Sequence, residues 1–531
     1  MPLSCRLLRP VLAGVTITSA MALTERPAQA IEPELTSDSA AQAYDVHSPT
    51  GQTSLERTRF TSMLGVNLYD ILGEDKVRRD GPEIDFRARV RYDADYGIAG
   101  AETDNTNGSR FVPGLSDTAG LVDIMYAYLE GRRFFHGVLG WKLGRQYMVD
   151  SLGWWSFDGA EVKATTPYFV AVEGYGGLEV RGGMPLSTPR FEAGGVWRGD
   201  RSGFDPSLYP QFQPSDVAPA FGAAIESAGV TWIHSRLSYR RVYDTGSVGV
   251  LEFPNANLPP TQYGTYDGAR ISTDRIGYSV EADFKKWGGV KAGLAYDLYD
   301  VKFSQVYAAF DVFATKRLTV SVDYDYFAPT YDADSIWNIF ASEPMNNVSL
   351  RGSYARERFS VSAGVNARIY NVDTTDPVAG AGANGNSGNL GSGAPFAGLP
   401  ASMGGNAGIY PTNGHPFDEG ADLGAKYKWG EGSLGLRGAA NFGDAGDRVG
   451  ADVTAQRALE TRYLLSGRIG VWNWDDKLRS EGSVTNFGYM LGAGYRFATR
   501  CHTMFEFQHD MNKLVGQRFR ALLTLSLAFG R

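Results

Sequence analysis

Apolar and polar residues alternate one by one through most of this chain. The clearest run is Leu318–Tyr326. Leu318, Val320, Val322, Tyr324 and Tyr326 share one face, and Thr319, Ser321, Asp323 and Asp325 share the other. A period of two marks a β-strand with one wet face and one apolar face. Ile276–Phe284, Phe359–Ile369 and Phe487–Phe497 repeat the pattern. Nearer the start, Ile84, Phe86, Ala88, Val90 and Tyr92 alternate with Asp85, Arg87, Arg89, Arg91 and Asp93. A slip of one residue would carry those arginines onto the apolar face, so the register is strongly fixed. The last segment follows suit. Phe519, Ala521, Leu523, Leu525, Leu527 and Phe529 alternate with Arg520, Thr524, Ser526 and Ala528, and only Leu522 breaks the series. Aromatics sit near the ends of many apolar faces, among them Phe284, Tyr354, Phe359, Tyr463, Phe497 and Phe529.

These elements predict an all-β fold, a single large antiparallel transmembrane β-barrel. Short turns are expected near Arg132–Phe135, Thr165–Tyr168, Lys285–Gly289, Ala314–Arg317, Ala355–Arg358, Trp429–Gly432, Ala458–Arg462 and Ala498–Cys501. Longer segments lie between them: Ala99–Ala119, Gly182–Pro219, Thr245–Ser272, Ala328–Asn346, Asn371–Glu419 and Asp475–Ser483. Short periplasmic turns and long external loops are the habit of such barrels, and the strand count from Glu83 is about 20, with a range of about 18–22. Arg57–Leu72 is a further strand candidate that would make the count odd. The terminal strand should pair with the first, either Glu83–Tyr96 or Arg57–Leu72. The expected division is a signal peptide over 1–30, a flexible N-terminal segment over 31–56 and the barrel over 57–531.

Composition narrows the class. The mean hydropathy of −0.25 excludes a bundle of membrane helices, while 12% aromatics and 65 Gly suit a sheet greasy on one side only. The net charge of −8 argues against a nucleic-acid partner. Arg6 and Arg9 precede an apolar run from Val11 to Leu23 and the small-x-small site Ala28-Gln29-Ala30, which reads as a secretory leader. Removing it takes Cys5 and leaves Cys501 as a lone thiol, so no internal disulfide is available.

A barrel this wide encloses a lumen that wall side chains alone do not fill. Gly182–Pro219, with six prolines and Phe204, Tyr209 and Phe212, is the preferred constriction loop. The Gly/Asn/Ser-rich run within Asn371–Glu419 reads as a mobile external loop, and Arg198-Gly199-Asp200 as chance. The inward charges carry the functional hint. Glu281, Asp283, Asp297, Asp311, Asp323 and Asp325 form an expected acidic arc. Arg87, Arg89, Arg91, Lys142, His234, Arg236 and Arg240 precede it, and Arg351, Arg368, Lys426, Lys428, Arg437 and Arg468 follow it. Such an arrangement sets a transverse field that orients and screens hydrated solutes. The simpler alternative is that these charges keep the lumen wet and pair across strands.

Enzymatic readings find little support. His47, His136, His234, His415, His502 and His509 sit beside no recognisable nucleophile, and His502 and His509 are too far apart on a strand to share a metal. No cofactor is expected. Asp-rich stretches at Asp93–Asp104 and Asp323–Asp334 offer carboxylates for loop calcium without the spacing of an EF-hand.

Trp141-Lys142-Leu143-Gly144-Arg145-Gln146, followed by Phe157-Asp158-Gly159-Ala160, resembles the LGRQ and FDG strand pair of Gram-negative outer-membrane porins. With the leader and the terminal aromatic strand, the resemblance covers most of residues 57–531. It departs at the end, where Phe529 is third from last. The resemblance implies a passive channel in outer-membrane lipid. It also implies recognition of the C-terminal strand by the barrel-assembly machinery, and it leaves a homotrimer open. The expected function is diffusion of small hydrophilic solutes. The alternative is a structural or adhesive surface barrel with a plugged lumen.

Overall fold

The computed structural model describes residues 32–72, 81–98, 121–180, 218–245, 248–252, 262–266, 268–299, 301–328, 344–370, 417–444, 446–476 and 483–530. The leader, Arg198-Gly199-Asp200, nearly all of Gly182–Pro219 and most of Asn371–Glu419 lie outside these residues. So does much of both proposed calcium stretches.

The chain first forms β1 (Glu32–His47), β2 (Thr53–Tyr69), β3 (Glu83–Ile98) and β4 (Leu121–Arg133). Then come β5 (Leu139–Asp150), β6 (Gly153–Thr165), β7 (Val170–Glu179), β8 (Ala218–Ser227) and β9 (Ile233–Asp244). A separate two-stranded hairpin, β10 (Val248–Glu252) and β11 (Gln262–Tyr266), follows. The wall resumes with β12 (Arg270–Asp283), β13 (Gly288–Asp297), β14 (Lys302–Phe313), β15 (Leu318–Phe327), β16 (Met345–Arg356) and β17 (Phe359–Tyr370). It ends with β18 (Phe417–Trp429), β19 (Gly432–Gly443), β20 (Gly446–Leu459), β21 (Tyr463–Asp476), β22 (Ser483–Ala498), β23 (Cys501–Asn512) and β24 (Gly516–Gly530).

Every pairing is antiparallel between sequence neighbours, except that β9 pairs β12 across the small hairpin and β24 pairs β1. The result is a closed sheet of 22 strands, at the top of the expected range. With strands about 4.8 Å apart and tilted about 40°, such a ring has a backbone radius of about 22 Å. Large apolar residues cover its outer face, for example Val322, Leu350, Leu423, Leu436, Leu465 and Leu491, all exposed.

Two expectations are corrected at the N-terminus. Residues 32–47 are not a flexible lead-in but the first strand, paired along its length with both β2 and β24. The partner of the terminal strand is therefore this segment, and neither Glu83–Tyr96 nor Arg57–Leu72. The second of these forms most of β2, and the strand before it restores an even count. The outer face of β1 is built of Leu35, Ser37, Ser39, Ala41 and Ala43, which show little alternation of apolar and polar type. Its cover comes from the neighbours. Ala41 and Phe60 are buried together with Leu523 packed against them, and Ser37 lies buried opposite Leu64 and Leu527. Ser39 and Ser62 satisfy each other by a hydroxyl–hydroxyl bond of 2.9 Å.

The connections are also less regular than expected. The connections 134–138, 166–169, 357–358 and 430–431 at one rim are short, but so are 48–52, 298–301 and 513–515 at the opposite rim.

Candidate functional site: a hairpin folded into the lumen

β5 and β6 do not stay in the wall along their whole length. Pairing with β4 stops at Ala127 opposite Arg145, and pairing with β7 stops at Phe157 opposite Glu179. The two strands continue with each other to Asp150 opposite Gly153. At the root, Gly144 has φ +127, and a Cβ there would lie 2.3 Å from the Ala127 carbonyl oxygen. Only glycine meets both demands. Arg145 braces the same place. Its Nε and Nη2 donate to the two Asp158 carboxylate oxygens at 2.7 and 2.8 Å, and Nη1 donates to Ile124 O at 3.2 Å. The motif that resembles the porin pair thus marks where the hairpin leaves the wall.

The tip lies across the inner face of the neighbouring strands. A Cβ on Gly277, whose side-chain position points inward from β12, would meet Ser151 Oγ at 2.4 Å and Leu152 Cδ2 at 2.7 Å. From β6 to β12 the wall passes through β7, β8 and β9, four spacings or about 19 Å. The six residue steps from Gln146 to Leu152 span about 20 Å when extended. Reach and distance agree.

Apolar packing holds the hairpin there. Met148, Trp155 and Phe157 form a buried cluster with Tyr175 of β7, Ala218 and Ala220 of β8 and Val242 of β9. Trp155 stacks on Phe157 with ring centres 4.4 Å apart, and Trp155 Nε1 donates to Glu179 at 2.9 Å. Tyr175 lies over Gly222 and donates its hydroxyl to Tyr239 O at 3.0 Å. One buried ion pair completes the dock. Arg240 of β9 donates to Asp150 at 3.1 Å and sits 4.8 Å above the Trp155 ring, with the two side chains 6% and 1% exposed. The reverse face of the hairpin, with Tyr147, Val149 and Trp154, stays open. Tyr147 contacts Tyr126 of β4 with ring centres 5.7 Å apart.

The charges expected to line the lumen stand on the polar face, but most have cross-strand partners. Arg87 lies between Asp85 and Glu130 at 3.5 Å from each, and Arg89 bonds Asp38 at 2.6 Å. Arg91 stands opposite Asp123 in the register of β3 and β4. Lys142 bonds Glu161 at 3.1 Å, and Arg236 bonds Glu173 at 2.8 Å and Glu226 at 2.7 Å. On the later strands Arg351 pairs with Asp422 at 3.3 Å and Arg468 with Asp452 at 2.7 Å. Arg437 faces Asp452 in register, and Arg368 donates to Asn347 at 3.4 Å. The basic arcs are therefore interleaved with acids that sequence reading did not pair with them.

The acidic arc is also thinner than expected. Glu281 pairs with Lys291 at 2.7 Å and Asp297 with Arg275 at 2.9 Å. Asp283 caps its turn by accepting from the Lys285 backbone N–H at 2.8 Å. Asp311 and Asp323 accept only hydroxyls, from Ser321 and Ser349, and Asp325 stands between Tyr307 and Asn347 in register. Asp323 and Asp325 are the part of the arc without a cationic partner among the described contacts, and Asp311 lies within reach of the Lys291 charge.

No family model and no curated protein matches the sequence. Among solved structures the chain is similar to a BenF-like porin from Pseudomonas fluorescens Pf-5, at 9% identity and a TM-score of 0.43, covering 94% of this chain and 99% of that one. It is similar to OccAB4 of Acinetobacter baumannii at 8% identity and a TM-score of 0.42, covering 94% and 98%. It is also similar to OpdK of Pseudomonas aeruginosa, solved with vanillate, at 8% identity and a TM-score of 0.40, covering 94% and 99%. At this distance the likenesses carry no argument about function.

Proposed function

We propose that this chain is an outer-membrane channel of a Gram-negative cell through which small hydrophilic solutes diffuse passively. The carrying observation is a closed wall with an apolar outer face and a charged inner face, crossed on the inside by its own β5–β6 hairpin. A closed sheet leaves no unpaired edge in lipid, and an exposed apolar face around it suits hydrocarbon. The short turns at Phe134–Val138, 166–169 and 284–287 then lie on the periplasmic side. A ring of about 22 Å backbone radius is too wide for wall side chains to close. The hairpin narrows it from one side, and its open face, with Tyr147, Val149 and Trp154, borders the path.

Asp311, Asp323 and Asp325 give the path an acidic patch on one part of the wall, whereas Arg87, Arg89 and Arg91 stand among the carboxylates of Asp38, Asp85, Asp123 and Glu130 and form a mixed, paired surface. Such charges select hydrated solutes by sign and orientation. Delivery by a cleaved leader, assembly through the closing strand and association into trimers rest on the sequence and the resemblance alone. Planar-bilayer recording tests the channel. Stable ohmic steps are expected. Protein that inserts correctly and stays electrically silent would overturn the reading in favour of a plugged surface barrel.

A further inference from the structure

Three tyrosines meet on the inner face beside the root of the hairpin. Tyr126 and Tyr128 belong to β4, and Tyr147 to the open face of β5. The ring centres of Tyr126 and Tyr128 lie 5.8 Å apart, and those of Tyr126 and Tyr147 5.7 Å apart. A β-bulge brings them together. Arg91 pairs with Asp123, but Arg89 pairs with Tyr126 and Arg87 with Tyr128, so Met125 is an extra residue without a partner in the β3 register. Strict alternation from Asp123 would send Tyr126 and Tyr128 outward to lipid. The bulge turns both onto the inward face, beside the arginines. Opposite Tyr128 on β5 stands Gly144, so no side chain covers that ring from the β5 side.

Charge around the rings is balanced. Arg145 holds Asp158, and Arg91 and Arg145 both lie within reach of the Asp123 charge. On the other side of the rings, Arg87 and Arg132 share Asp85 and Glu130. With two cations and two carboxylates in each group, neither sign is in excess, and the field favours neither an anion nor a cation. One hydrogen-bonding position is open. Asp123 is 8% exposed, and its buried Oδ2 accepts no hydrogen bond among the described residues. A buried oxygen of this kind is normally satisfied, so it calls for a donor from outside the chain.

We propose that this corner of the lumen binds neutral linear oligosaccharides, with successive pyranose rings against Tyr128, Tyr126 and Tyr147 and a sugar hydroxyl donating to Asp123. A pyranose presents an apolar face of C–H bonds and a rim of hydroxyls. The face suits an aromatic ring, and the rim suits a surface of paired donors and acceptors. The planes of neighbouring tyrosine rings are tilted by 49° and 52°. A flat polycyclic ligand cannot lie against all three, whereas linked pyranoses turn at each linkage. Tyr147 stands on the hairpin that narrows the lumen, so a bound sugar obstructs the path. The inference rests on the channel reading above and names a substrate class for it.

Current block in planar bilayers tests it. Maltotriose, cellotriose and xylotriose are each titrated against the open channel, beside trigalacturonate and a poly(ethylene glycol) of similar mass. At least one neutral trisaccharide should reduce the current saturably where the polymer does not, and trigalacturonate should block less well. In a chain carrying Tyr126→Leu and Tyr147→Leu the half-blocking concentration should rise about tenfold, since two aromatic contacts are lost. Should that pair fail to form a heat-modifiable barrel, Tyr147→Leu alone takes its place. Equal block by the polymer, block unchanged in the variant, or no block by any of the neutral sugars would overturn the site. Tighter block by trigalacturonate would overturn the neutral assignment. Protein that inserts and stays silent overturns the channel reading instead. Equilibrium binding of the same sugars to detergent-solubilised protein, with and without the tyrosine substitutions, then decides the site by itself: binding that the substitutions weaken upholds it, and no binding or unchanged binding removes it.

Discussion

Arg240→Ala should release the β5–β6 hairpin from the inner wall. The substitution leaves Asp150, 1% exposed, as a buried charge without its cation. Removing one partner of a buried pair costs about 3–5 kcal/mol. Loss of the guanidinium above Trp155 forfeits a further cation–π term of up to about 2 kcal/mol. These overlap, so a combined loss of about 4 kcal/mol is expected. Against it stands the burial of Met148 and Trp155, about 4 kcal/mol by transfer of two large side chains. A loss of about 4 kcal/mol lowers the ratio of docked to released hairpin about 10³-fold. Single-channel recording should show larger or noisier open-channel current, and proteases should cut near residues 150–153 while the wall stays intact. Replacing the pair together, as Arg240→Met with Asp150→Leu, should restore quiet current, because apolar residues of similar volume substitute for a buried pair at little cost. An Arg240→Ala channel with unchanged current, noise and protease resistance would refute the docking argument.

Gly277→Leu places a side chain where Ser151 Oγ and Leu152 Cδ2 already stand, at 2.4 and 2.7 Å from the Cβ position. It should alter conductance with little effect on folding of the wall, which heat-modified mobility on gels would show. Asp311→Asn, Asp323→Asn and Asp325→Asn together should lower cation preference, read as a shift in reversal potential under a salt gradient. An unchanged potential would place these carboxylates off the path. Deleting Glu32–His47 removes both the partner of β24 and an edge of β2. It should abolish formation of the compact, heat-modifiable barrel, and a variant that still folds would show that β24 can close on β2 directly.

Most wall strands are legible in the sequence because their outer residues are large and their inner ones polar, as on β15 and β24. β1 was not, because the apolar cover of Ser37 and Ala41 comes from Phe60, Leu64, Leu523 and Leu527 on other strands. The inward hairpin escaped for a related reason. The alternation of β5 and β6 gives way to apolar runs at Tyr147-Met148-Val149 and Trp154-Trp155, but such a run alone does not say that the hairpin lies inside the lumen. A period of two does not say which neighbour lies against the face. Gly144 was the one local sign of a bend, and its role depends on the Ala127 carbonyl, which only the register supplies. The ion pairs were hidden for the same reason. Arg240 and Asp150 are separated by 90 residues, and Arg351 and Asp422 by 71.

The ring is completed by joining Glu34 to Gly530 and Arg500 to Glu34, contacts that span almost the entire chain. Closure is therefore the last event that assembly can complete, since the final strand must arrive before the first is satisfied on both edges. Until then β1 presents one open row of backbone donors and acceptors, which invites pairing with a foreign strand. Its small and hydroxylated outer face, with Ser37, Ser39, Ala41 and Ala43, makes that waiting edge poorly adhesive. A strand with a small, hydroxylated outer face is thus the one that must keep an edge open longest, and a change that made it greasier would raise self-association during assembly more than it strengthened the finished ring.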